Sequence, residues 1–442
     1  MNPSPNLLFL HAFFSDLQEK GIKYCILRNA DEVKAGTAHD VDMTVDVARL
    51  EETETILANT AAKQEWKLHL KTGRAADKHN IKCYNFFLLD EEARKISIVH
   101  IDIFPTIAWN GFELLPNHAL LAGRQLNGLF PAAGEETEAV CNLFTRLLFN
   151  GYIKEKYKPE IQKAALSYKE KLLKLLQFFL PLELSEHVCQ LAATAQWSKI
   201  EQERNILISG IKHTAPRFRL SHWCYLLHKA LHRKGLIVAF MGTDGSGKST
   251  IIDGLPTIIG NTFSGSTIDY YHWRPGFIHP EKKFTAEGEV VSHVQPHTQL
   301  PMGKIASFAK MAFYTLDYVL GYMGKVYWQA AKGHLVVFDR YYYDFYVDKI
   351  RYRLSVSNSL IRFFQTFIPR PDITFLLIGD AQQIYERKKE LPLEEVQRQI
   401  DTLLSHKKLF AESIVADVSL PIPEVLHCVS RDILLTLHKR AR

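Results

Sequence analysis

Phe240-Met-Gly-Thr-Asp-Gly-Ser-Gly-Lys-Ser-Thr250 decides how the C-terminal half of this chain is read. The apolar run from Leu236 to Met241 predicts a short buried strand. The run stops at Gly242, and Gly247-Lys248-Ser249-Thr250 opens a predicted helix that continues over 251–259. From Gly242 to Ser249 the spacing is G-x-x-x-x-G-K-S, a phosphate-binding loop pattern. Each residue type has a reason to be there. Glycines let the backbone curl so that its N–H groups face a phosphate. The helix N-terminus adds the positive end of its dipole. Lys248 is placed to reach β- and γ-phosphates, and Ser249 to hold Mg²⁺. The expected ATP contacts are therefore Gly242, Thr243, Asp244, Gly245, Ser246, Gly247, Lys248, Ser249 and Thr250.

Nearly 240 residues precede the loop, and a chain of 442 residues is too long for one ordinary core. The expected domains are 1–135, 136–233 and 234–442. An apolar fraction of 47% with 23% charged residues is that of a soluble globular protein. A formal charge of +6 suits anionic substrates such as nucleotides, and does not argue for a nucleic-acid binder. The six cysteines are scattered without a C-x-x-C pair, which predicts reduced thiols in a cytoplasmic protein. The N-terminus lacks the basic region and cleavable apolar run of a signal peptide. Ile305 to Ala331 is the most membrane-like stretch, but it carries Lys310, Asp317 and Lys325. Those charges predict a long buried helix of a soluble domain, with no membrane insertion.

In the N-terminal part, a helix is predicted from Leu7 to Lys20 and a strand from Ile22 to Asn29. His39-Asp-Val-Asp-Met-Thr-Val-Asp46 alternates acids with apolar residues. On a strand this places Asp40 and Asp42 on one face. Two like charges side by side are costly unless a cation sits between them, an arrangement that suits Mg²⁺ and a nucleoside triphosphate. Asp102, flanked by Ile101 and Ile103 in the predicted strand 96–104, is the candidate third acid. The pattern resembles the nucleotidyltransferase superfamily, in which a D-x-D pair and one later acid hold metal ions. The matching positions are Asp40, Asp42 and Asp102, and Leu27-Arg-Asn29 is similar to the turn that precedes the acids. The family's Gly-Ser pair has no clear match here. The resemblance implies an α+β nucleotidyltransferase-like domain.

Residues 136–233 carry long helical patterns, Glu135 to Tyr152 and Lys158 to Phe179 foremost, with no chemical motif. A helical connecting domain is expected. His228 and His232 share a helix face but lack the other groups of a metal site.

After the loop, strands are predicted over 266–273, 334–340 and 373–380. A long loop, 277–301, carries His293 and His297. The second strand ends in Asp339-Arg340. An acid at such a strand end supports the Mg²⁺ shell, and an arginine's planar fork matches phosphate oxygens. Tyr341, Tyr342 and Tyr343 follow, suited to stacking on a base or sugar or to core packing. A helix carrying Tyr385 to Lys389 and another over 393–410 complete the pattern.

Over about 236–440 this order resembles the thymidylate kinase family of nucleoside monophosphate kinases. The resemblance implies a parallel sheet wrapped by helices, ATP and Mg²⁺ as donor and cofactor, and a basic lid. Residue by residue, it makes Lys248, Asp339, Arg340 and Arg387 the catalytic candidates, with Lys388 or Lys389 as further lid cations. Ser249 and Asp339 are the metal candidates. Tyr342-Tyr343-Asp344, Asp348 and the 277–301 insertion depart from the family where an acceptor would bind. The expected activity is transfer of the ATP γ-phosphoryl to a small acceptor: dTMP, a related nucleotide, a sugar or a sugar phosphate. The fused halves are similar to proteins encoded with bacterial surface-polysaccharide genes, which keeps the sugar acceptor in view. A bifunctional enzyme with an active N-terminal nucleotidyltransferase, a nucleotide-dependent switch or scaffold, and a homodimer are left open.

Overall fold

A computed structural model describes residues 4–38, 40–71, 78–126, 128–231, 233–263, 268–276 and 301–441. The chain forms two compact units. One holds Met1–Asp90 and Ile96–Leu227, the other Glu91–Lys95 and His228–Arg440.

The first unit contains a five-stranded mixed sheet of β1 (Tyr24–Ile26), β2 (Asp40–Val45), β3 (Lys67–Lys71), β4 (Lys82–Asp90) and β5 (Lys95–Ile103), in the order β1-β2-β5-β4-β3. β1 runs antiparallel to β2, β2 parallel to β5, and β3 antiparallel to β4. The expected strand over 22–29 shrinks to three residues, because the backbone leaves the sheet and turns left-handed at Asn29, with φ +54°. β3 and β4 lie outside the elements anticipated from sequence. The helix Pro5–Glu19 starts where the Ser4 hydroxyl accepts from the Leu7 N–H, with proline at its first position. Its Phe9, Phe13, Phe14 and Leu17 are buried, and the Phe9 ring lies 5.1 Å from Trp66 and 5.5 Å from Phe86.

A second core in this unit joins the helices Glu135–Asn150, Lys158–Ser167, Lys169–Leu176, Leu182–Ala193 and Arg204–Thr214 to the hairpin β6 (Ile107–Trp109) and β7 (Phe112–Leu115). Cys25, Leu27 and Trp109 pack in the same cluster as Phe144, Phe179 and Ile211. Residues on both sides of position 135 thus share one interior. The expected helical run 158–179 is two helices, broken at Tyr168, whose φ of −127° leaves the helical region.

The second unit is an α/β structure around a parallel sheet: β8 (Leu236–Met241), β9 (Ile268–His272), β10 (Leu335–Asp339), β11 (Ile373–Ile378) and β12 (Ser413–Asp417), in the order β12-β11-β8-β10-β9. All neighbours are parallel. Every residue of β8 and β10 is buried. A parallel sheet covered on both faces needs such continuous apolar runs, which is why these strands stand out in the sequence. The edge strand β12, Ser-Ile-Val-Ala-Asp, is half exposed and was not anticipated.

The membrane-like stretch forms helix Lys304–Gly321, a π-helical turn Tyr322–Val326 and helix Tyr327–Ala331. Only one face is buried, through Met311, Asp317 and Tyr318. Ile305 is 87% and Met323 64% exposed, so the expected long buried helix is buried along one side alone. Among the described residues no helix is long and apolar enough to cross a membrane.

Candidate active site

The loops that follow parallel strands gather at the strands' carboxyl ends, where ligands of such sheets bind. β8, in the centre, delivers the loop 242–247. Gly245 and Gly247 sit at φ +87° and +82°, the left-handed region that glycine tolerates best. Gly242 is needed for space. A Cβ there would come within 2.5 Å of the Ser246 hydroxyl. A Cβ at Gly245 would meet the Ile384 carbonyl at 2.8 Å and the Lys388 Cβ at 3.1 Å, so the loop packs against the end of helix Ala381–Arg387. At Gly247 a Cβ would meet nothing within 4 Å.

Lys248 opens the helix Lys248–Ile259. Its ammonium donates to the carbonyls of Gly242 and Thr243, both at 2.9 Å. Burial, with the nearby Arg340 charge, lowers its pKa to about 8. Ser249 and Thr250 are exposed on the first turn. The hydroxyls of Thr243 and Ser246 are buried without a hydrogen-bond partner, and so is Oδ1 of Asp339. Such orphaned groups are costly. Phosphate oxygens and a metal ion would satisfy them, so these residues fit the donor and cofactor expected here.

Asp339 ends β10 directly opposite Phe240 of β8 and His272 of β9. The Tyr270 hydroxyl donates to its Oδ2 at 3.1 Å. Burial pushes its carboxyl up, but His272, Lys248 and Arg340 outweigh this and hold it below the usual carboxylate range.

Arg340, expected to clamp an acceptor phosphate, has a side chain 4% exposed that donates to Asp244 of the loop at 2.5 Å and to both oxygens of Asp344 at 3.1 Å. Arg351 binds the other oxygen of Asp244 and, through Nε at 3.3 Å, Asp348. The Tyr352 hydroxyl completes the network by donating to Asp344 at 2.6 Å. Burial raises the Asp244 pKa, but Arg340, Arg351 and Lys248 more than reverse this and keep it ionised.

The three tyrosines after Arg340 are core residues. Tyr341 and Tyr342 donate to the carbonyls of Pro369 and Ile361, and the Tyr343 hydroxyl accepts from the Ala411 N–H. Arg387 donates to the Val418 carbonyl at 3.1 Å. Lys388, whose Cβ abuts Gly245, is the basic residue nearer the loop. The 277–300 part of the expected long loop, with His293 and His297, and His232 lie outside the described residues.

In the first unit, Asp42 lies directly opposite Asp102 on the parallel pair β2–β5, and Asp40 is two residues before Asp42 on the same face. Arg28 makes a 2.8 Å ion pair with Asp42. Burial, then the charges of Asp42 and Asp40, push Asp102 up to about 7. Among the described residues no group of three or more His, Cys, Asp or Glu side chains is arranged to hold a metal ion. The two central acids are adjacent, and an internal cation already serves one of them.

No protein-family model matches the chain, and no curated protein matches it. Among solved structures, the chain is similar to the crystal structure of thymidylate kinase from Ehrlichia chaffeensis at 15% identity and a TM-score of 0.29. The match covers 46% of this chain and 98% of that one.

Sequence reading missed Arg28, Arg351 and Tyr352 as members of these sites. One local signal was present. Asp344, Asp348 and Arg351 stand four and three residues apart, so they meet when the segment coils.

Proposed function

We propose that the second unit is an ATP- and Mg²⁺-dependent kinase of the thymidylate and nucleoside-monophosphate kinase type, moving the γ-phosphoryl of ATP to a small acceptor. The observation that carries this reading is the loop after central strand β8, where Lys248 and the orphaned Thr243 and Ser246 hydroxyls surround a glycine backbone beside Asp339. The loop amides and hydroxyls bind the donor phosphates. Lys248 exchanges its two carbonyl partners for β- and γ-phosphate oxygens. Ser249 and Asp339 hold Mg²⁺, which neutralises charge on those phosphates when bound. The acceptor oxygen bonds to the γ-phosphorus as the bond to the β–γ bridging oxygen breaks. The electron pair leaves on ADP, and the acceptor proton passes to the transferred phosphoryl group. Catalysis is positioning and charge stabilisation, with Lys388 as the lid cation adjacent to the loop.

The test is ADP release from Mg²⁺·ATP by the full chain, with dTMP, other nucleoside monophosphates, sugars and sugar phosphates as acceptors. Acceptor-stimulated release that disappears in Lys248→Ala supports the kinase. ADP formation that no acceptor stimulates sinks it, in favour of a nucleotide-dependent switch.

The Asp42–Asp102 register favours a second, narrower reading for the first unit, nucleotidyl transfer using Asp40, Asp42 and Asp102 once Arg28 releases Asp42. Pyrophosphate release abolished by Asp40→Ala/Asp42→Ala and retained in Lys248→Ala is its signature; no pyrophosphate from the wild type removes it.

A further inference from the structure

The helix Arg219–Leu231 carries its apolar residues outward. Over 219–227, its part in the first unit, Leu220 is 79%, Trp223 67% and Leu227 61% exposed, and Cys224 is exposed between them. These positions fall at i, i+3, i+4 and i+7, a single stripe of the helix. Ser221, His222 and Tyr225, on the opposite side, are half-buried. A surface helix ordinarily turns such faces the other way. The β6–β7 hairpin fixes this orientation. The Phe218 N–H donates to the Gly111 carbonyl and the Glu113 N–H to the Pro216 carbonyl, both at 2.9 Å. The Phe218 ring stacks on His79 at 4.5 Å, and Arg217 lies 4.9 Å over the Phe112 ring. A Cβ at Gly111 would lie 3.0 Å from the His222 Cβ, so His222 is pressed against the hairpin turn. Turning the leucines inward would break these contacts.

The same stretch carries the chain's positive charge. Residues 204–243 hold seven Lys and Arg and no Asp or Glu, a formal +7 against +6 for the whole chain. Arg204 is committed to the Leu147 and Leu148 carbonyls, and Arg233 to Asp372. Lys212, Arg217 and Arg219 are exposed, and Arg219 stands one helical turn from Trp223. Glu113, the carboxylate on the supporting hairpin, lies 3.7 Å from His79. An uncharged apolar stripe bordered by exposed basic charge is the chemistry of a helix that lies in an anionic lipid interface. Nucleic acid would leave the leucines and Trp223 in water. A second copy of the chain would set Arg217 and Arg219 against their own likes, with no acid on the segment to answer them.

We propose that this face seats the protein on an anionic lipid surface, with Leu220, Trp223 and Leu227 at the acyl boundary and Lys212, Arg217 and Arg219 among the headgroup phosphates. The helix has 13 residues, too few to cross, so it lies in the plane of the interface. Binding depends on the apolar stripe and the basic border together, and salt weakens it by screening the second. The proposal is independent of the kinase reading.

The test is flotation of the full chain with vesicles of phosphatidylcholine alone or mixed with phosphatidylserine. Wild-type protein is expected to float with the mixed vesicles and not with the neutral ones, and to be released by high salt. Leu220→Ser/Trp223→Ser and, separately, Lys212→Glu/Arg219→Glu are each expected to weaken binding to mixed vesicles about tenfold or more. All four side chains are exposed, so the variants keep the fold's interior. Tryptophan emission of the wild type gives a second readout. It is expected to shift to the blue on mixed vesicles and to be quenched by lipids brominated in the acyl chains, and Trp223→Phe to lose most of the shift. Wild-type protein that does not float with the mixed vesicles overturns the proposal. Equal binding to neutral vesicles, binding that both double variants retain, or emission that lipid leaves unchanged does so too. A dimer in sedimentation equilibrium that Leu220→Ser/Trp223→Ser dissociates, with no vesicle binding, assigns the face to a second copy and overturns the proposal as well.

Discussion

Asp244 of the phosphate loop and Arg340 at the end of β10 are bonded to each other at 2.5 Å, across 96 residues of sequence. Arg340 adopts a left-handed backbone, φ +72°, immediately after Asp339, and its N–H donates to the Phe240 carbonyl of β8. The pair ties the loop to the strand that carries Asp339. Asp244 also binds Arg351, so Asp244→Asn weakens two buried ion pairs at once. A loss of about 3 kcal/mol in stability is expected by urea unfolding. Arg340→Lys should lose a similar amount, because an ammonium cannot bridge two carboxylates as a planar fork does. A lysine variant as stable as the wild type would show that the fork geometry is dispensable.

Lys248 sets the pH dependence of nucleotide binding. With its pKa lowered to about 8, it is an ammonium at neutral pH and becomes a neutral amine above that value. Affinity for ATP in the free protein is therefore expected to be flat below pH 7 and to fall as pH rises through about 8. Fluorescence titration with an ATP analogue between pH 6 and 9.5 reads this directly. In Lys248→Met the affinity should be weak throughout and the alkaline limb absent.

The two left-handed glycines should differ when replaced. Both pay about 1–2 kcal/mol of backbone strain as alanine. Gly245→Ala adds a collision with the Ile384 carbonyl, whereas Gly247→Ala meets nothing within 4 Å. Thermal unfolding is expected to rank Gly245→Ala as the less stable. Equal melting temperatures would mean that the loop and the Ala381–Arg387 helix move apart freely.

Burial, then the charges of Asp42 and Asp40, push the Asp102 carboxyl from its ordinary value of 3.8 up to about 7. Its folded form binds the proton more tightly than the unfolded form. The linked stability is thus present below about pH 4 and lost as pH rises through about 7. Asp102→Asn removes that penalty, so its stability gain over wild type should grow from pH 5 to pH 8, to on the order of 4 kcal/mol. Arg28→Ala works in the opposite direction, leaving Asp42 without its 2.8 Å partner beside Asp102, and is expected to cost about 3 kcal/mol at neutral pH. Chemical denaturation at the two pH values measures both.

Strands β8, β10 and β11 and the phosphate loop were legible from residue order. Continuous apolar runs mark strands covered on both faces, and the G-x-x-x-x-G-K-S spacing is itself the loop's geometry. The alternation Asp40-Val41-Asp42 likewise announced which face of β2 carries the acids. β12 was not legible, because a half-exposed edge strand has no such run. β3 and β4 were not read at all, although β4 is mostly buried.

What local order could not supply was the identity of the partners. Asp339-Arg340 reads as a phosphate clamp when only its neighbours in sequence are seen. The fold brings Asp244, Asp344 and Arg351 around it, and the guanidinium is committed to carboxylates. Residue order marks Asp42 and Asp102 as acids on separate strands, and only the β2–β5 register sets them side by side with Arg28 against one of them. The physical reason is the same in both places. Backbone periodicity is a short-range property that a sequence carries openly, whereas the state of a charge depends on which opposite charges long-range packing places within a few ångströms.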